Sequence, residues 1–129
     1  MIKWNSEYVI GIDKIDEQHK KLFEIANKAY DLLKDEFSID KYDKIVAIIK
    51  ELQDYTKYHF KFEEDYMASI GYRKFFAQKV AHDDFIKKIY SIDLKKIDSN
   101  QDKAIIKLLD FVVEWIGEHI KEEDSQIGK

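Results

Sequence analysis

Four histidines, His19, His59, His82 and His119, together with two nearby carboxylates, are the residues of this sequence best equipped for chemistry. Glu63 follows His59 by four positions, which places both on one face of a helix. Asp124 follows His119 by five, slightly out of phase, so the last turn of that helix needs local unwinding to aim both groups inward. Imidazole suits iron, zinc, copper and nickel, whereas bridging carboxylates favour a pair of metal ions. The chain has no cysteine, which excludes thiolate sites, iron–sulfur clusters and disulfides and leaves nitrogen and oxygen as donors. Ferritin-like di-metal proteins use Glu-x-x-His motifs, and none occurs here. The donor set is rich in histidine instead. Neutral imidazoles leave less negative charge on a metal than carboxylates do, which favours reversible oxygen binding over a high-valent oxidant unless surrounding groups override it.

The elements that must carry these residues are helices. Proline is absent and only four glycines occur, with 45% apolar and 37% charged residues, so the usual punctuation of strands and loops is nearly missing. The spacing predicts an all-α chain: an arm over residues 1–15, then helices at about 16–37, 40–70, 73–97 and 101–124. The first stripe runs through His19, Leu22, Phe23, Ala26, Ala29 and Leu33. The second, capped by Ser38 or Asp40 and stopped by Gly71, runs through Ile45, Ile48, Leu52, Tyr55, His59, either Phe62 or Glu63, and Tyr66. Phe75, Gln78, His82, Phe85, Ile89 and Ile92 form the third; after Asp98-Ser99-Asn100, Ile105, Leu108, Val112, Trp115 and His119 form the fourth. Short connections make this an up-down-up-down antiparallel four-helix bundle with an extended N-terminal arm, in a single domain over 1–129.

One histidine lies on each stripe. If a stripe catches a residue with a chance of ~0.35, all four fall there by coincidence about 1.5% of the time. Depth agrees: His82 follows Arg73 by nine residues and His59 precedes Gly71 by twelve, which puts both roughly 14 to 18 Å into the bundle. His19 and His119 lie about a turn from the ends of their own helices, so the four converge if the second hairpin projects further. Taken singly, Glu63 and Asp124 each sit in an acidic EED run and read equally well as solvated helix residues.

A net charge of −4 with dispersed lysines offers no footprint for nucleic acid or an anionic membrane. No apolar run reaches the roughly 18 residues of a membrane span, and the start MIKWNSEY lacks the pattern of a signal peptide. The expected location is cytoplasmic.

Four segments together resemble the bacterial hemerythrin family over nearly the whole chain: Trp4 with GIDKIDEQHKKL, HFKFEEDYM at 59–67, GYRKFFAQKVAHDDF at 71–85 and WIGEHIKEED at 115–124. The resemblance implies two iron ions joined by an oxo or hydroxo group and by Glu63 and Asp124. His19 and His59 would ligate the iron with an open position for dioxygen, and His82 and His119 the other. Ile12, Phe60, Trp115, Ile116 and Ile120 would line the oxygen pocket or serve as ordinary core. The implied role is oxygen carriage, storage, delivery or scavenging by a monomer that is not an enzyme. One position departs from the family pattern. Gln78 stands where a fifth histidine is expected, four residues before His82, so it binds iron weakly, yields to water, or costs that iron. The alternative reading is a peroxidase, an oxidase or an oxygen sensor built on this altered shell; a site loaded with zinc or manganese is another.

Overall fold

The computed structural model describes residues 4–34, 42–91 and 101–128. Among them are four α-helices, α1 (Asp13–Lys34), α2 (Tyr42–Ser69), α3 (Phe75–Tyr90) and α4 (Gln101–Glu122), with two short 3₁₀ turns at Ser6–Tyr8 and Asp124–Gln126, and no strand. The helices form an antiparallel bundle, as the cross-helix contacts show. Lys28 reaches Glu51 and Gln18 reaches His59; Gln53 reaches Ile89 and Glu64 reaches His82; Phe85 packs on Trp115 and His82 on His119. In each pair of helices the numbers rise on one side as they fall on the other.

The start of α1 comes three residues earlier than the spacing suggests. Asp16 lies inside the first turn, and its carboxylate accepts the N–H groups of Ile10 (2.9 Å) and Gly11 (3.2 Å). Gly11 turns the chain there with φ +92°, a left-handed conformation that favours glycine. Asp13 and Asp16 also complement the positive end of the helix. The arm is not extended throughout: Asn5 Oδ1 accepts the Glu7 N–H at 2.8 Å and closes the 3₁₀ turn Ser6–Tyr8. Trp4 and Tyr8 then pack edge-on against Phe23, at 5.4 and 4.8 Å between ring centroids, fastening the arm to α1.

At its far end α2 stops at Gly71, whose φ is +62°. The Tyr72 N–H returns to the Met67 carbonyl at 2.9 Å, the long bond of a Schellman motif. The next helix starts at Phe75 and not at Arg73. It ends at Tyr90 with Ser91 as its C-cap, short of the expected end at about 97. Ile92 and the residues after it to 100, the first helix's continuation to 37, and the caps Ser38 and Asp40 lie outside the described residues, as do the side chains of Leu33, Ile45, Ile105 and Leu108.

The core lies between the stripes. Leu22, Phe23, Leu52, Phe85, Ile89 and Val112 are all buried, and α1 adds Ile15, Ile25 and Leu32, so its apolar face is wider than one row. Between Phe62 and Glu63, the carboxylate takes the interior position with no exposure, and Phe62 is only half-buried.

Candidate metal centre

His19 on α1, His59 and Glu63 on α2, His82 on α3, His119 near the end of α4, and Asp124 just beyond it meet at one level of the bundle, every one of them buried. Asp124 reaches the interior because α4 ends at Glu122 and the chain tightens into the 3₁₀ turn Asp124–Gln126, the local unwinding that the five-residue offset requires.

The two carboxylates are shared. Glu63 Oε2 lies 3.3 Å from His19 Nε2 and 3.2 Å from His59 Nε2, while Oε1 lies 3.1 Å from His82 Nε2. Asp124 Oδ2 lies 3.1 Å from His19 Nε2, while Oδ1 lies 3.2 Å from His119 Nε2. Two groups of potential ligands result, His19–His59–Glu63–Asp124 and His82–His119–Glu63–Asp124, the donor atoms within each lying no more than 4.8 Å apart. Four donors at 2.0–2.1 Å around a first-row ion sit about 3.3 Å from one another, so the spacing fits a metal.

Bonding on the other side of the rings points the same way. Nδ1–H of His59 donates to Gln18 Oε1 at 2.7 Å, and Nδ1–H of His82 donates to Glu64 Oε2 at 2.9 Å. A ring that donates through Nδ1 turns the lone pair of Nε2 toward the centre. His82 Nε2 and His119 Nε2 lie 3.2 Å apart, where facing lone pairs repel unless a proton or cation intervenes. Both oxygens of Glu63 and Nε2 of His19 are buried without hydrogen-bond geometry to any partner. Orphaned buried groups of this kind are costly unless something binds them.

Neither Gln18 nor Glu64 stands out in the sequence. Each adjoins a candidate ligand and faces a neighbouring helix, and burial of Gln18 at 6% exposure is the signal that only the fold supplies. Gln78 lies beside the His82 half: its Nε2 donates to Asp124 Oδ1 at 3.0 Å, and its buried Oε1 has no partner.

Against His19, His59, His119 and Asp124 lies a cavity of about 10 Å³, room for roughly one water-sized sphere. Its walls include Leu22, Thr56, Phe60, Trp115, Ile116 and Ile120. Four of the five pocket candidates are thus brought together. Ile12 is outside this lining and packs against the core where α1 begins.

Without metal, burial lowers the His19 and His82 rings, but Asp124 and Glu63 beside His19, and Glu63 and Glu64 beside His82, outweigh it and raise both to about 9. Burial dominates at His59, which is lowered. Burial would raise Glu63, yet the charge of His59 and the rings of His19, His59 and His82 hold it well below the usual carboxylate range. Groups raised on folding stabilise fully below their unfolded value of 6.5, and that contribution is lost as pH rises through about 9. Groups lowered on folding do the reverse: the His59 contribution is present above 6.5, that of Glu63 above 4.5, and each is lost as pH falls through its folded value. The metal-free protein is therefore expected to be most stable near pH 6.5 and to weaken on both sides. Urea midpoints across about pH 5 to pH 9 check this. Metal loading competes with these protons and is expected to release them.

A helical bundle that closes four imidazoles on two shared carboxylates defines a histidine-rich metal-binding protein. The model of the hemerythrin HHE cation binding domain matches residues 10–129. A bacteriohemerythrin of Clostridium acetobutylicum is 60% identical over 126 residues, covering 98% of each chain. A hemerythrin-like protein of Naegleria gruberi is 29% identical over 95% of this chain and 87% of its own. A solved structure of a leucine-to-phenylalanine mutant superposes with a TM-score of 0.79 at 28% identity, covering 99% of this chain and 95% of its own. The chain belongs to the hemerythrin family of oxygen-binding, non-haem iron proteins. Among the described residues no helix is long and apolar enough to cross a membrane.

Proposed function

We propose that this chain holds two iron ions and binds dioxygen reversibly at one of them, as a carrier, store or scavenger and not as an enzyme. The observation that carries the reading is the sharing of Glu63 and Asp124, each of which offers one oxygen to the His19 side and the other toward His82 or His119. Ferrous iron, when bound, supplies the electrons that dioxygen binding requires. His19 and His59 hold the ion beside the small cavity, whose apolar walls Leu22, Phe60, Ile116 and Ile120 disfavour water and admit a small neutral molecule. His82 and His119 hold the second. Gln18 and Glu64 fix the rings of His59 and His82 through Nδ1. All six ligands come from one chain, in keeping with a monomer.

Anaerobic loading with ferrous iron, a count of metal per chain, and spectra before and after oxygen test this. Two irons and an absorbance band that comes and goes with oxygen are expected; irreversible bleaching would contradict reversible binding.

The unpartnered Oε1 of Gln78 favours a second reading, in which the His82 side is less saturated and supports autoxidation, peroxidase-like turnover or sensing. On that reading Gln78→His, which restores a nitrogen donor, slows autoxidation several-fold in oxygen-uptake measurements; an unchanged rate removes it.

A further inference from the structure

Metal ions must reach a cluster that the protein surface covers, and hollows adjoin it on more than one side. The cavity that His19, His59 and His119 line is small and walled mainly by apolar groups, a poor path for a hydrated cation. Between α2 and α3 a groove approaches His82, but Lys57, Lys61 and Lys79 line it against Glu64 and Asp83, leaving it positive. The groove between α3 and α4 is different. It has a volume of about 270 Å³, and Glu118, Glu122 and Glu123 line it with no lysine or arginine. Among the described residues none of these three carboxylates makes an ion pair.

Depth and floor complete the path. Ala77 and Ala81 on α3 keep the groove open with small side chains, and Gln78 and His119 line the same groove. Gln78 is 1% exposed and its Oε1 is unpartnered, so a neutral oxygen donor stands beside His119 in the lining of the groove, tied through its Nε2 to Asp124. Oxygen ligands suit a hydrated divalent cation in transit, and a glutamine holds it less firmly than an imidazole would.

We propose that the α3–α4 groove is the entry port for divalent metal: Glu118, Glu122 and Glu123 gather the cation and Gln78 passes it to the buried centre. This rests on the reading of the cluster as a metal centre. Single-sign clefts raise cation arrival rates by factors of about 10 to 1,000, and the gain is screened by salt.

The test uses the full chain, metal-free, mixed with Co²⁺ alone in stopped flow, with uptake followed by cobalt absorbance. A triple variant, Glu118→Gln, Glu122→Gln and Glu123→Gln, is compared with a charge-matched control, Glu24→Gln, Asp31→Asn and Asp54→Asn. At low salt the rim variant is expected to load about tenfold more slowly than the parent, with the control close to the parent. At 1 M salt, where the Debye length is about 3 Å, the difference disappears, and final cobalt per chain is equal throughout. Equal rates in rim variant and parent, or equal slowing in the control, would overturn the port. A parent chain that takes up no Co²⁺ would instead overturn the metal centre itself, and the port with it.

Discussion

Glu63→Gln is expected to strip both metal positions, not one. The carboxylate has no exposure, and its two oxygens lie 3.1–3.3 Å from the Nε2 atoms of His19, His59 and His82. Glutamine keeps the volume but removes the negative charge and turns an N–H₂ group toward one of the two positions. Even a group that only hydrogen-bonds to a metal ligand is worth roughly 10 to 100-fold in metal affinity, and loss of a direct ligand costs at least that. A shared ligand exacts that at both positions, roughly 10² to 10⁴ for the pair. With the two ions proposed above, metal content after gel filtration should fall from two per chain to below one. The equivalent change at a ligand of one half, His59→Gln, should leave the His82–His119 side better occupied.

Phe85→Ala is expected to be the most damaging change in the core. Phe85 has no exposure and packs against Trp115 at 4.2 Å, Phe111 at 5.2 Å and Phe60 at 5.8 Å between centroids. Truncating a buried phenylalanine costs about 3–5 kcal/mol through lost transfer energy and the cavity left behind. The same aromatic cluster supports the site: Phe60 stacks on the His82 ring at 3.8 Å and Trp115 on the His119 ring at 4.4 Å. Urea denaturation of the metal-free variant should show the full loss of stability, and metal retention should weaken most on the His82–His119 side. A loss under about 1 kcal/mol would mean that the stack contributes little to folding.

The histidines were legible because one helical period places each of them among apolar residues, and burial then follows from the stripe. Asp124 was legible in a different way: its offset from His119 is wrong for a continuous helix, and the chain resolves the mismatch by ending α4 at Glu122. The choice between Phe62 and Glu63 was not legible, since adjacent positions share the edge of a stripe and only packing decides between them. The start of α1 was hidden because Asp16 reads as a beginning, whereas its carboxylate acts backward on Ile10 and Gly11. The 3₁₀ turn in the arm depends on one side-chain bond from Asn5, too local to create a hydrophobic period. Gln18 and Glu64 hold the rings through contacts between helices, and no spacing within one helix records them. The charge contrast between the grooves beside α3 likewise appears only when residues from two helices are brought side by side.

Anomalous diffraction at the iron edge from crystals of the iron-loaded chain tests the two-centre account most directly. Two peaks are expected, one ligated by His19 and His59 and the other by His82 and His119, with Glu63 and Asp124 touching both. A single peak, or two that share neither carboxylate, would contradict it.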